Sequence, residues 1–250
     1  MITRAFDVPG QPDIDISIES GKVEIRNGAE GKVAVSVDTS DPGFVVEQRG
    51  SSIIISSSKG RLWRGSTFVI VDTPPGSNLS TEVASADIQV DIPLDRVDLK
   101  TASGDIDLAG AETLTVRTAS GDLRVDHVGN AIRYTTASGD LFVPGEARGS
   151  VVVSSASGDI RIEECDAAID INTVSGDVHI ARFSGRSGNF KAMSGDVSLG
   201  IIRGTSLDLD VNLLSGKLHL PDTAKDPAPT ERHMSVTAKL VSGDLRINRA

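Results

Sequence analysis

The chain has 250 residues, enough for one large domain or two small ones, and a formal net charge of −10, which argues against sequence-independent binding to nucleic acid or anionic lipid. Aromatic residues make up only 3% of it while glycines number 25, a balance that favours strands and turns over helices. A single cysteine, Cys165, excludes an intrachain disulfide framework, and no apolar run is long enough to insert in a membrane.

The opening "MITRAFDVPGQPD" lacks the apolar stretch of a secretory signal, so a soluble cytoplasmic protein is expected. Through residue 75 the chain alternates strongly: "DIDISIESGKVEIRNGAEGKVAVSVDTSD", then a hairpin in "FVVEQRGSSIIISSS", then "STFVIVDTPPGS". These segments predict an antiparallel β cap over residues 1–75, continuous with the repeats of residues 76–250. Between them "KGRLWRG" holds Lys59, Arg61, Arg64 and the only tryptophan, Trp63. As structure, this is a hairpin tip with its indole folded onto the cap. As function, Trp63, Arg61 and Arg64 would anchor an acidic protein partner, since Trp and Arg are favoured at interfaces.

From residue 76 onward a repeat takes over. Its motif serines are Ser85, Ser103, Ser120, Ser138, Ser157, Ser175, Ser194, Ser215 and Ser242, at intervals of 18, 17, 18, 19, 18, 19, 21 and 27 residues. Positions three and five after each serine are always aliphatic, as in Ile106 and Leu108 or Ile160 and Ile162, with a mostly polar residue between. Positions six and four before it, such as Val97 and Leu99 or Val151 and Val153, repeat the pattern. Both are period-2 strands with one buried face. Counting by twos from Leu99 reaches Thr101, but counting back from Ile106 reaches Ala102. The phase slips, so the chain bends there. These features predict an all-β, single-stranded β-solenoid over residues 76–250, with about 18 residues per coil and coils about 4.8 Å apart. The Pro-rich segment Pro221–His233 is a loop inserted before the last coil.

The recurring Ser-Gly-Asp is then a corner. Glycine takes the positive φ that a sharp bend needs, and Ser and Asp oxygens accept N–H groups the bend leaves unpaired. Gly139→Val is therefore expected to destabilise more than Asp140→Asn. Chemical readings fare worse. Ser175, Asp177 and His179 lie close in sequence, but Asp177 and His179 are about 6.5–7 Å apart along a strand, long for a triad hydrogen bond. His179 and His219 share a column at an expected two coils' separation, too far for one ion. A Thr array at Thr101, Thr118, Thr136, Ser155 and Thr173 would suit an ice-binding face but fails at Ala192. Cys165 reads as a structural thiol. No catalytic residue and no cofactor are expected. The main alternative is calcium on a ladder of Asp105, Asp122, Asp140, Asp159, Asp177 and Asp196, although calcium takes six to eight oxygen ligands.

The registered "SGD-[ILV]-x-[ILV]" copies, led by "SGKVEI" and "VDTPPGSNL", resemble the bacterial beta-strand-repeat family labelled putative adhesin, over nearly the whole chain. That resemblance implies a β-solenoid without established enzymatic activity, with some relatives tied to the cell envelope. The expected function is a non-enzymatic scaffold or protein-interaction module; the alternatives are a calcium-binding repeat module and a hydrolase of unseen mechanism. The last strand, "DLRINR", ends the chain with Leu245 and Ile247 facing inward. The Pro221–His233 loop is expected to cover them only in part, so these two residues form an open end through which a homodimer is expected to associate.

Overall fold

A computed structural model describes residues 1–58, 65–221 and 232–250. Every regular element among them is a strand, and no helix is long and apolar enough to cross a membrane. The chain forms two compact units, Met1–Val125 and Asp126–Ala250.

In the first unit, β2 (Asp13–Asn27) is a full coil. Its Ser20 lies in parallel register with Ser85 of β7 (Asn78–Ser103), and its Val23 with Ile88. On its other side β2 pairs in parallel with β5 (Ser52–Ser56) and β6 (Thr67–Thr73). The antiparallel strands are β1 (Ile2–Asp7) on β3 (Lys32–Asp38), β3 on β6, and β4 (Val45–Arg49) on β5. The expected antiparallel cap is thus confined to β1, β3 and β4, while β2, β5 and β6 run with the coils. Ile14, Ile16, Val23 and Ile25 explain this: they are buried, and a buried coil needs partners on both sides. Beyond β7 the stack continues through β8 (Ile106–Ser120) and β9 (Leu123–Val125), with Ile88, Ile106 and Leu123 in one column.

The second unit contains β10 (Val128–Ser138), β11 (Leu141–Ser157), β12 (Ile160–Ser175), β13 (Val178–Phe183), β14 (Ser187–Ser194) and β15 (Val197–Ile201), stacked in parallel in chain order. The order then breaks. Strands β18 (His233–Ser242) and β19 (Leu245–Arg249) pair directly with β14 and β15. Strands β16 (Ser206–Ser215) and β17 (Leu218–His219) lie outside them. The last coil in sequence is therefore the second to last in space. Side-chain volume favours this arrangement: the small Ala238 sits in register with the bulky, buried Phe190, where the outer coil would offer the branched Val211.

The aliphatic columns are buried as expected, from Ile88 to Ile247, except on one coil. Leu218 and Leu220 are 41% and 54% exposed, and the inward Leu207, Leu209, Val211 and Leu213 of β16 are only half-buried. The expectation that Leu245 and Ile247 form an open end is corrected. Both are buried, with β15 on one side and β17 on the other for Leu245. The end of this stack is the β16–β17 coil.

Candidate functional site

Three features recur at the corners. The first is the glycine. Gly104, Gly121 and Gly158 have φ of 120°, 120° and 136°. A Cβ on Gly158 would lie 2.2 Å from the carbonyl oxygen of Gly139 one rung away. Conformation and stacking distance both demand a missing side chain. The second is the residue two before the serine. Thr101 and Thr118 point inward and each donates its hydroxyl at 2.8 Å to the carbonyl of Ser103 or Ser120. Thr101, Thr118 and, at 3.3 Å, Thr173 thus fasten their corners from inside, while the buried Thr136 and Ser155 hydroxyls of the same column find no hydrogen-bond partner among the described residues. The outward Thr array weighed for ice binding does not exist, because the phase slip falls after the threonine rather than before it.

The third feature is the aspartate. The Asp177 N–H donates to Asp159 Oδ1 at 2.8 Å, the Asp196 N–H to Asp177 Oδ1 at 2.8 Å, and the Asp244 N–H to Asp196 Oδ1 at 2.8 Å. In the first unit the Asp105 N–H reaches Asp87 Oδ1 and the Asp122 N–H reaches Asp105 Oδ1, both at 3.1 Å. Asp140 Oδ1 receives the Asp159 N–H at 2.7 Å. The carboxylates thus follow one another rung by rung, each receiving a partial positive charge from the next backbone. That interaction offsets the repulsion expected between like charges a strand spacing apart. Lys217, which breaks the acidic column, still donates its N–H to Asp244 Oδ1 at 2.9 Å. Motif serines such as Ser157 and Ser175 are exposed, and among the described residues their hydroxyls make no hydrogen bond. Serine serves the corner through its backbone: the Gly158 N–H donates to the Ser175 carbonyl at 3.2 Å.

The Lys217 N–H, followed by His219 and Arg246, holds the Asp244 carboxyl below its ordinary value. A carboxyl depressed in the folded state contributes stability that is complete above its unfolded pKa and is lost as pH falls through its folded pKa. Asp244→Asn should therefore flatten the acid limb of the stability curve below about pH 4 and leave the alkaline limb unchanged, as followed by circular dichroism. Cys165 is buried, and burial pushes its thiol up to about 12. It is expected to resist a disulfide reagent in the folded protein and to react fully once unfolded.

Among the described residues, no three His, Cys, Asp or Glu side chains come together to hold a metal ion. Within each unit the calcium candidates follow one another along a line, not in a cluster: Asp105 and Asp122 in the first, and Asp140, Asp159, Asp177 and Asp196 in the second. His179 and His219 are three rungs apart instead of two, with Ser198 and Arg246 between them, because the transposed coil intervenes. Trp63, Arg61 and Arg64 lie outside the described residues.

The geometry defines an all-β repeat protein whose most repeated motif is spent on its own backbone. Residues 12–250 match the family described as Toastrack DUF4097, and the chain belongs to that family. Similar solved structures include a putative adhesin from Parabacteroides distasonis, with 16% identity, TM-score 0.49, and coverage of 98% of this chain and 96% of that one. A putative adhesin from Bacteroides fragilis has 14% identity, TM-score 0.46 and the same coverages. A putative lipid binding protein from Parabacteroides distasonis has 14% identity and TM-score 0.45, covering 97% and 96%. No curated protein matches the chain.

Proposed function

We propose that the chain is a non-enzymatic β-solenoid that serves as a scaffold or protein-interaction module, linked to bacterial cell-envelope processes. The observation that carries this reading is the aspartate ladder. One oxygen of each rung accepts the next rung's N–H, so the motif that most invites a catalytic or metal reading has a structural use. What varies from coil to coil is the outward face, and variation on a fixed frame is how repeat proteins present binding surfaces. The test is a photocrosslinking residue placed in cells at exposed Lys100 in the first unit and at exposed Arg133 in the second. A discrete crosslinked protein from either position is expected. Absence of any crosslinked protein from both would contradict the reading.

A further inference from the structure

The repeat contains its own reference for what a corner requires. The residue just before the motif serine points outward, and Ala84, Ala102, Ala119, Ala137 and Ala156 occupy it in five coils. Alanine therefore suffices for the fold. In the remaining coils of the second unit the same position holds Val174, Met193, Val241 and Leu214, exposed by 48%, 58%, 47% and 79%. Strand register places them side by side in that order, because Ser175, Ser194, Ser242 and Ser215 are successive neighbours. In chain order Leu214 would separate Met193 from Val241; the transposed coil joins them.

A second column runs beside this stripe, two residues earlier in each coil. It reads Asn172, Lys191, Lys239, Asn212, with Lys191 directly opposite Lys239. Like charges directly opposite each other are destabilising, and among the described residues neither lysine has an ion pair. The equivalent pair in the first unit, Lys100 and Arg117, differs in this respect, since Arg117 meets Asp98 at 3.9 Å. Stripe and lysines together line an open groove of about 570 Å³ that includes Ala156, Val174, Met193, Val241, Lys191 and Lys239.

We propose that this groove docks an acidic amphipathic helix of a partner protein, its apolar stripe on Val174, Met193 and Val241 and its carboxylates at Lys191 and Lys239. Spacing selects a helix. Rungs recur about every 4.8 Å, and a helix presents apolar side chains about once per 5.4 Å turn. An extended strand puts same-side residues about 6.6–6.8 Å apart and falls out of step by the second rung. Openness argues against a free acyl chain, because small-ligand sites bury about 70–90% of their ligand and this face covers one side only. Local charge selects acidic flanks: Lys191 and Lys239 face each other without an ion pair among the described residues, a positive site set against the chain's overall net charge of −10.

The proposal rests on the interaction-module reading and is tested separately from it. The probe is a fluorescent designed helix of about 18 residues, long enough to cross four rungs, with leucines at i, i+3, i+4 and i+7 and flanking glutamates. A second probe carries lysines in place of the glutamates, and palmitate serves as a competitor. Anisotropy should show binding of the glutamate helix and at least about tenfold weaker binding of the lysine helix, a difference of about 1.4 kcal/mol. The triple variant Val174→Ala, Met193→Ala, Val241→Ala restores the residue that other coils carry, so it should fold normally and lose the glutamate helix. Lys191→Glu with Lys239→Glu should reverse the preference. Equal binding of both helices, binding of neither, or binding of palmitate in their place would overturn the proposal. Photocrosslinks from Lys100 or Arg133 alongside a silent groove would remove the docking helix and leave the module.

Discussion

Gly158→Val is expected to cost at least about 3 kcal/mol of stability, whereas Asp159→Asn should change it by less than about 1 kcal/mol. Valine at a φ of 136° carries backbone strain of about 1–3 kcal/mol. Its Cβ also falls 2.2 Å from the Gly139 carbonyl oxygen, so two coils must separate to admit it. Asparagine keeps an oxygen for the Asp177 N–H and relieves part of the charge repulsion along the ladder. Asp159→Ala falls between the two: it removes the acceptor of a 2.8 Å bond, a loss of about 0.5–1.5 kcal/mol. Chemical denaturation of the three variants gives the ranking. Equal losses from Gly158→Val and Asp159→Asn would mean that this motif is not a corner.

The second large effect concerns the order of the coils. Leu245→Lys places an ammonium group between β15 and β17, where the leucine side chain is fully buried. It should cost about 3–5 kcal/mol, as uncompensated buried charges do. Leu218→Lys, at a position already 41% exposed, should cost less than about 1 kcal/mol. Stacking in chain order predicts the opposite ranking, because Leu218 would then be internal and Leu245 terminal. Thermal melts of the two single variants decide between the orders.

Much of this fold is legible in the sequence. The columns at Ile106 and Leu108 are aliphatic in every coil and those at Val151 and Val153 in most, and the phase slip between Leu99 and Ile106 marks the corner to within a residue. The aspartate's part in the corner is legible from its chemistry. Three things are not. Parallel coils repeat the same inward pattern, so nothing local says which coil neighbours which. The pairing of Ser194 with Ser242 across Ser215 places Ala238 in register with Phe190, a match between strands far apart in sequence. The intervals of 21 and 27 residues are the one sequence signal of it, because a coil that returns past another needs a longer connection. The direction of the threonine column depends on which side of Thr101 the slip falls, and alternation alone leaves that open by one residue. The groove at Val174, Met193 and Val241 escapes the sequence for the same reason as the stacking order: its two lysines become neighbours only once the coil is transposed.

The central claim is that the aspartate ladder caps the backbone and is not a cation site, and calorimetry with and without calcium tests it most directly. A calcium site half-filled at about 10 μM would be hundredfold saturated at about 1 mM, adding about 2.7 kcal/mol. For a chain of this size that raises the melting temperature by about 5–10 °C. With the carboxylates already engaged by Asp177, Asp196 and Asp244 N–H groups, melting in calcium and in chelator should coincide within about 1 °C. A rise of about 5 °C or more, lost in chelator and restored by calcium alone, would contradict the account and turn the corner back into a site.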